Sequence, residues 1–266
     1  MKNGYEITTN TISVCNFTSE DSQHLCGDHC HDKYEITFFL KASGKYIVEG
    51  GEQTVASGTL LLINPMSYHK VMLDSDTDTE GYTVCFNRAA LPEAVAEVFD
   101  RFTTVKEGDG SFYSTEAVSD RIVSVFDRFE IALELGALER FAYMQALLSE
   151  IIVFLSASAG EQITHTDEEL GARVAKYLNS NIERNISLDR LARRFFVSKY
   201  HLCRAFKSYS GTTVHSYVNH KRIIYAKGLI ESGVTASRAA ERVGFGDYSA
   251  FYRAYVKIVG KSPTAE

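Results

Sequence analysis

The sequence predicts an α+β protein in two unlike parts, a β-rich N-terminal half closed by a helical pair and an all-α C-terminal half. Three observations carry this. Between Tyr34 and Asn87, apolar and β-branched residues come in runs of five to seven, and beyond residue 92 they recur at helical spacing. Charge divides the chain similarly: residues 1–160 hold 11 Lys and Arg against 24 Asp and Glu, and residues 161–266 hold 17 against 10. The segment after Thr166 also repeats itself at an interval of 48 to 49 residues. A chain of 266 residues has room for two cores, and its basic half would attract a polyanion despite the overall charge of −6.

YEITFFL (34–40), KYIVE (45–49), EQTVA (52–56), TLLLI (59–63), HKVML (69–73) and YTVCF (82–86) read as strands, being rich in residues that suit a pleated, half-buried surface. Gly50-Gly51 lies between two of them as a two-residue hairpin turn would. Short strands in series predict a small barrel or sandwich over about residues 5–87.

Helical spacing follows at 92–101, about 118–135 and about 137–156. Ile122, Val125, Phe126, Phe129 and Leu133 form one stripe; Leu138, Phe141, Met144, Leu148, Ile151 and Leu155 form the next, with Gly136 between. Such stripes pack either into the chain's own core or against a second copy in a homodimer. SASAGEQITH (156–165) is small, polar and unpatterned, which places a linker at 157–165 between a domain at 1–156 and one at 166–266.

In the basic half, Ile186, Ala192 and Arg194 recur 48 residues later as Val234, Ala240 and Arg242. Ser198, Leu202, Arg204, Phe206 and Gly211 recur 49 residues later as Asp247, Phe251, Arg253, Tyr255 and Gly260, so the one-residue slip falls in a turn. Each copy reads as a short helix, a tight turn and a second helix, the helix-turn-helix plan. Ser187, Thr235, Ser198 and Asp247 are candidate N-caps. In the second helices Leu202, Ala205, Phe206 and Tyr209, then Phe251, Ala254, Tyr255 and Ile258, make the inward stripes.

That leaves Tyr200, Cys203, Arg204 and Lys207, with Tyr248, Ser249, Tyr252 and Arg253, facing out. Arg pairs bidentately with guanine and Ser with several bases, while Tyr offers a hydroxyl and an apolar face. Ser198 and Lys199 open the first of these helices, and Lys199, Lys207, Lys221, Arg222 and Lys227 are expected to neutralise phosphates of double-stranded DNA. One helix from about Val214 to Glu231 joins the copies. Its eighteen residues span about 27 Å, near the roughly 34 Å between successive major-groove faces.

Through ISLDRLARRFFVSKYHLCRAFK, NHKRIIYAKGLI, AERVGF and FYRAYVKIVGKSP, residues 166–263 resemble the AraC family DNA-binding domain. The resemblance implies a unit of two helix-turn-helix modules whose second helices enter major grooves. By position its base-reading residues are Tyr200, Cys203 and Arg204 in one copy and Tyr248, Ser249 and Arg253 in the other. Cys203 departs from the polar residue often found there.

In the β-domain, His29 and His31 project to the same face of an extended segment, with Glu35 following and His69 arriving from a later strand. Three imidazoles and a carboxylate suit a divalent metal such as Zn, Fe, Mn or Ni. The segments around His29 to Glu35 and Gly58 to His69 resemble the two motifs of the cupin barrel, a sensor domain common in AraC relatives, with Ser67 standing where cupins prefer Gly. The fold expected is thus a cupin-like β-barrel with a helical pair, followed by an all-α domain of two helix-turn-helix units joined by a linking helix. A small-molecule effector would be lined by His29, His31, Tyr34, Glu35, Phe38, Tyr46, His69 and Tyr82. A metal held by His29, His31, Glu35 and His69, and histidines of purely structural use, remain open beside it.

The expectation is therefore an effector-controlled transcription regulator and not an enzyme, with no cofactor required. No phosphate-binding Gly-rich loop, G-x-S-x-G elbow or kinase-like set is present in the sequence. The rivals are a cupin-type metal enzyme fused to a DNA reader, and a thiol or metal sensor using Cys26 and Cys30 within the His24–His31 cluster. The first residues lack a signal-like apolar run, and no uninterrupted apolar stretch approaches the roughly 18 to 20 residues of a membrane span. Five irregularly spaced cysteines do not form a disulfide framework. A cytoplasmic protein with no membrane partner is expected.

Overall fold

The structure is a computed structural model that describes residues 5–19, 30–49, 51–103, 111–114, 119–157 and 170–264. The architecture is mixed α+β: an antiparallel β-domain with helices comes first and an all-helical domain second. The strands are β1 (Glu6–Thr8), β2 (Ile12–Thr18), β3 (Tyr34–Lys41), β4 (Ser43–Val48), β5 (Gly51–Ala56), β6 (Thr59–Ile63), β7 (His69–Leu73), β8 (Glu80–Phe86) and β9 (Ser111–Ser114). One sheet runs in the order β1-β2-β8-β3-β6-β9 and a second in the order β5-β4-β7. The six strands read from sequence are all present, and β1, β2 and β9 join them.

Register decides which side chains meet. Phe38 lies opposite both Tyr82 and Leu60, so Ile36, Phe38, Leu60, Leu62, Tyr82 and Val84 share one face and pack beneath the helices. Phe39, Leu61 and Ile63 take the other face and pack with Tyr46, Val48 and Val71 of the smaller sheet. Gly51, expected in the hairpin turn, instead pairs with Val48 in the ladder. Glu49 sits at φ +43°, a left-handed conformation uncommon for Glu. Gly50 lies outside the described residues.

Helix α1 (Glu93–Phe102), α2 (Ser119–Arg128) and α3 (Ala137–Ala157) cover the larger sheet. The expected helix 118–135 tightens into a 3-10 segment at Phe129–Glu134. Both stripes resolve mainly into the chain's own core: Ile122, Val125, Phe126, Phe129, Met144, Leu148, Ile151 and Leu155 are all buried there. By length and composition α3 is apolar enough to cross a membrane; its Met144, Leu148, Ile151 and Leu155 pack in the core. The residues proposed as a linker, 157–165, lie outside the described residues except Ala157, the last of α3.

The helical domain comprises α4 (Leu170–Asn179), α5 (Leu188–Arg194), α6 (Lys199–Ser210), α7 (Val214–Glu231), α8 (Ala236–Arg242) and α9 (Tyr248–Val259). The pairs α5/α6 and α8/α9 are the two repeats, and α7 joins them at the limits expected. Ser198 accepts from the His201 amide and Asp247 from those of Ser249 and Ala250, capping α6 and α9. Ser187 and Thr235 are the N-cap residues of α5 and α8 as expected, but without a side-chain cap bond. Both α6 and α9 end on a left-handed glycine, Gly211 and Gly260. The inward stripes pack as expected, with Leu202 and Phe206 in one core and Phe251 and Tyr255 in another.

Candidate DNA-reading face and barrel site

In α6, Tyr200, Arg204 and Lys207 are exposed, as are Ser198 and Lys199 at its start; Cys203 is only half-buried and packs partly against the core beneath. In α9, Tyr248, Ser249, Tyr252 and Arg253 are exposed. Arg204 and Arg253 stand at matching repeat positions, and each has exposed tyrosine on the same helix, Tyr200 in α6 and Tyr248 and Tyr252 in α9. Lys199 reaches Asp189 at 3.0 Å on the surface.

Three of the expected phosphate ligands are employed elsewhere. Lys221 is 3 % exposed and its Nζ lies 2.9 Å from Glu49 Oε1 of the β-domain. Arg222 is also buried: Nε donates to the Ile182 carbonyl at 2.7 Å, Nη2 to that of Arg184 at 2.6 Å and Nη1 to that of Gly244 at 3.0 Å. Lys227 pairs with Asp32 and Glu231. The sequence suggested surface cations because Glu49 for Lys221, the three carbonyls for Arg222 and Asp32 for Lys227 lie far away in the chain. Conversely, sequence reading passed over a basic cleft where Arg173, Lys176, Arg184 and Arg194 surround Tyr177 and Phe195. Arg194 sits 4.5 Å above the Tyr177 ring.

The barrel site forms at one end of β3. His31 Nε2 lies 2.8 Å from Glu35 Oε2, and His69 Nε2 approaches the same oxygen at 3.7 Å. The two rings meet edge to face at 5.1 Å. Glu35 Oε1 accepts from the Thr37 hydroxyl at 2.7 Å. Burial acts to raise the Glu35 pKa, but the hydrogen bond from His31 and the charges of both imidazoles outweigh it and hold the carboxyl well below its ordinary range. Burial likewise opposes protonation of His31, and its bond to Glu35 reverses that and raises it. Tyr46 stacks over His69, with centroids 6.2 Å apart, and its buried hydroxyl has no partner among the described residues.

The expected effector lining divides by strand parity. Glu35, Tyr46, His69 and His31 come together, whereas Tyr34, Phe38 and Tyr82 face the helices. Tyr34 packs on Phe86 and Phe99, Phe38 stacks on Phe126 at 5.4 Å, and Tyr82 stacks on Phe126 while donating to Asp127 at 2.7 Å. The structure thus does not bring these three together with the histidines. His29 lies outside the described residues, as do His24 and Cys26. Cys30 is buried, and burial pushes its thiol up to about 12, the opposite of an activated thiolate.

His31, Glu35 and His69 fit a divalent cation. Their ligand atoms lie within 4.8 Å of one another. Nδ1 of His31 faces the Lys33 carbonyl and Nδ1 of His69 the Ser67 carbonyl, both at 2.9 Å, so each Nε2 is turned toward the carboxylate. This is the outer-shell arrangement that orients metal-binding imidazoles. Two imidazoles and one carboxylate suit Zn, Fe, Mn or Ni.

Comparison with known proteins agrees with this division. Residues 11–152 match the model of the AraC-like ligand binding domain, more than half of the chain, and residues 191–265 match a helix-turn-helix domain. The chain is 29% identical over 236 residues to YbfI of Bacillus subtilis, an uncharacterized HTH-type transcriptional regulator, covering 84% of this chain and 80% of that protein. It is 24% identical over 247 residues to RhaS of Salmonella paratyphi B, an HTH-type transcriptional activator, covering 89% and 85%. Among solved structures, ToxT of Vibrio cholerae with bound unsaturated fatty acid aligns over 99% of this chain and 96% of its own at 13% identity and a TM-score of 0.41. A ligand-binding β-domain followed by a duplicated helix-turn-helix domain, each matching its own model, makes this chain a member of the AraC family of transcription regulators.

Proposed function

We propose that α6 and α9 read base edges in adjacent major grooves and that a small molecule bound beside His31, Glu35, Tyr46 and His69 modulates that reading. The observation that carries this is the repeat itself. Arg204 and Arg253 occupy equivalent exposed positions on two capped helices, with Tyr200 and Tyr248 near the helix starts. A rigid helix presenting Arg and Tyr outward matches the chemistry of a major groove, and the 18-residue α7 that joins the copies spans about 27 Å. Acting on DNA, the protein works in the cytoplasm of a bacterial-type cell.

The effector must bind two arrangements of the chain unequally, because only differential affinity shifts an equilibrium. The test is genome-wide capture of bound DNA, then affinity for the recovered site with and without small molecules shown by calorimetry to bind. A single recovered sequence motif whose affinity changes on effector binding supports the reading. Equal affinity with a bound effector overturns the modulation, and capture without a motif overturns the sequence-specific reading.

A second reading, in which a divalent cation is itself the effector, is favoured by the convergence of His31, Glu35 and His69. The cation would supply a charge balancing Glu35 and would order both histidine segments. Metal analysis of purified protein, with less than about a tenth of an equivalent as the negative result, tests it and the enzyme alternative together. We also propose a homodimer built on the helical pair, where Ile131, Leu133, Leu138 and Val153 remain exposed. Sedimentation of the full chain and of a Leu138→Glu variant checks this.

A further inference from the structure

The β-domain and the helical domain meet through a buried charge cluster that the proposed reading does not use. Glu49 is 2 % exposed, at the tip of the β4–β5 hairpin. Its Oε1 accepts from the Tyr68 amide at 2.8 Å and from Lys221 Nζ at 2.9 Å, and its Oε2 from the Tyr217 hydroxyl at 2.7 Å. Asn179 of α4 closes the group, with Oδ1 2.8 Å from Lys221 Nζ and 2.9 Å from Tyr217 Oη. Around it, Tyr68 packs on the rings of Tyr217 and His220, the Cys30 amide donates to His220 Nε2 at 3.4 Å, and Asp32 pairs with Lys227. Residues 217, 220, 221 and 227 recur at helical spacing, so one face of α7 is given over to the β-domain.

Each β-domain residue in this contact adjoins the barrel site. Cys30 precedes His31, Tyr68 precedes His69, and Val48, the neighbour of Glu49, pairs with His69 across the sheet. The Met66 amide also donates to the His31 carbonyl at 2.7 Å, tying the two histidine segments together. Backbone displacement at His31 or His69 would therefore bear directly on a residue that touches α7.

Two features bear on how readily the contact opens. A buried ion pair gives little net stability over neutral groups of like shape, yet losing one partner strands the other, so its balance is easily tipped. Glu49 also holds, between the paired ends of β4 and β5, a left-handed backbone conformation uncommon for Glu.

We propose that Glu49 and Lys221 form a releasable latch between sensor and DNA reader, through which occupancy of the barrel site changes the position of α7. For what moves the latch, this rests on the effector reading above; the latch itself is tested without any effector. The test uses the full chain and the alkylation rate of Cys30, followed by peptide mass spectrometry, in wild type, Glu49→Gln, Lys221→Met and the double variant. Each single variant is expected to raise Cys30 labelling at least tenfold while retaining the wild-type circular dichroism. The double variant, with no stranded charge, is expected to return within about threefold of wild type. Hydrogen exchange of the wild-type chain provides a measurement free of mutation: the Cys30 and Tyr68 amides should open together, more readily than the amides of β3 and β8. Folded single variants in which Cys30 stays as protected as in wild type, or Cys30 and Tyr68 amides that exchange only with global unfolding, overturn the latch and leave the effector reading standing. A latch that opens as described in a chain whose DNA affinity ignores every bound effector overturns the coupling to the barrel site.

Discussion

Phe196 and Gly244 occupy equivalent positions in the two repeats, 48 residues apart, and both are left-handed, with φ +55° and +83°. The turn between the helices imposes this conformation. In the second copy glycine meets it freely, and a Cβ there would come within 2.2 Å of the Glu183 carbonyl oxygen. In the first copy a phenylalanine bears the strain with its ring 94 % exposed, so almost no burial compensates. Phe196→Asn, which tolerates this region, is therefore expected to stabilise the protein by about 1 kcal/mol, while Gly244→Ala destabilises it. Thermal melting checks both signs.

Arg222 and Arg253 should fail in different ways. Arg222 satisfies three carbonyls drawn from both sides of α7, and truncation to Met strands them at a cost of about 1 to 3 kcal/mol for each group left fully buried. Its melting temperature should fall sharply, taking DNA binding with it. Arg253→Ala and Arg204→Ala remove exposed side chains and should leave melting unchanged.

For DNA itself, each of those two Arg→Ala changes is expected to cost about 1 to 3 kcal/mol at one base position and to relax specificity there. Lys207→Ala should weaken all sequences alike and flatten the dependence of log affinity on log salt. Titrations on a set of single-base operator variants at several salt concentrations separate the two classes.

The His31–Glu35 pair sets a pH dependence whose sign follows from the two shifts. The His31 pKa is raised in the folded chain, so its contribution is complete below its ordinary 6.5 and is lost as pH climbs through the raised value. The Glu35 pKa is lowered, so its contribution is complete above its ordinary 4.5 and is lost only as pH falls toward the depressed value. Stability of the metal-free protein should thus decline from about pH 6.5 upward, and His31→Gln should remove that decline. Excess divalent cation should reverse it, because a cation competes with the His31 proton. Denaturant titrations from pH 6 to 9 measure both slopes.

The helical half was the more legible part of the sequence because its signal was doubled. Leu202 and Phe251, or Gly211 and Gly260, confirm each other across the repeat, and exposure of Arg204 follows from local spacing alone. Burial of Lys221 does not, since its partner Glu49 lies 172 residues away. The barrel site failed differently. β3 is buried on both faces from Glu35 to Phe39, which erases the polar alternation that would separate Phe38 from Glu35. Only the pairing register assigns each to its side.

Tyr46 offers a test whose two readouts move in opposite directions. Its hydroxyl is buried without a partner among the described residues, while its ring stacks over His69. A polar group left unpaired in the interior costs about 1 to 3 kcal/mol, so Tyr46→Phe, which preserves the ring, should raise stability of the effector-free protein. If the effector supplies the missing partner, the same change should weaken effector binding by about tenfold, the loss of one hydrogen bond worth about 1.4 kcal/mol. Calorimetric melting and effector titration of one variant report both effects. A variant that melts lower shows that the hydroxyl already has a partner, and unchanged effector affinity places the ligand away from Tyr46.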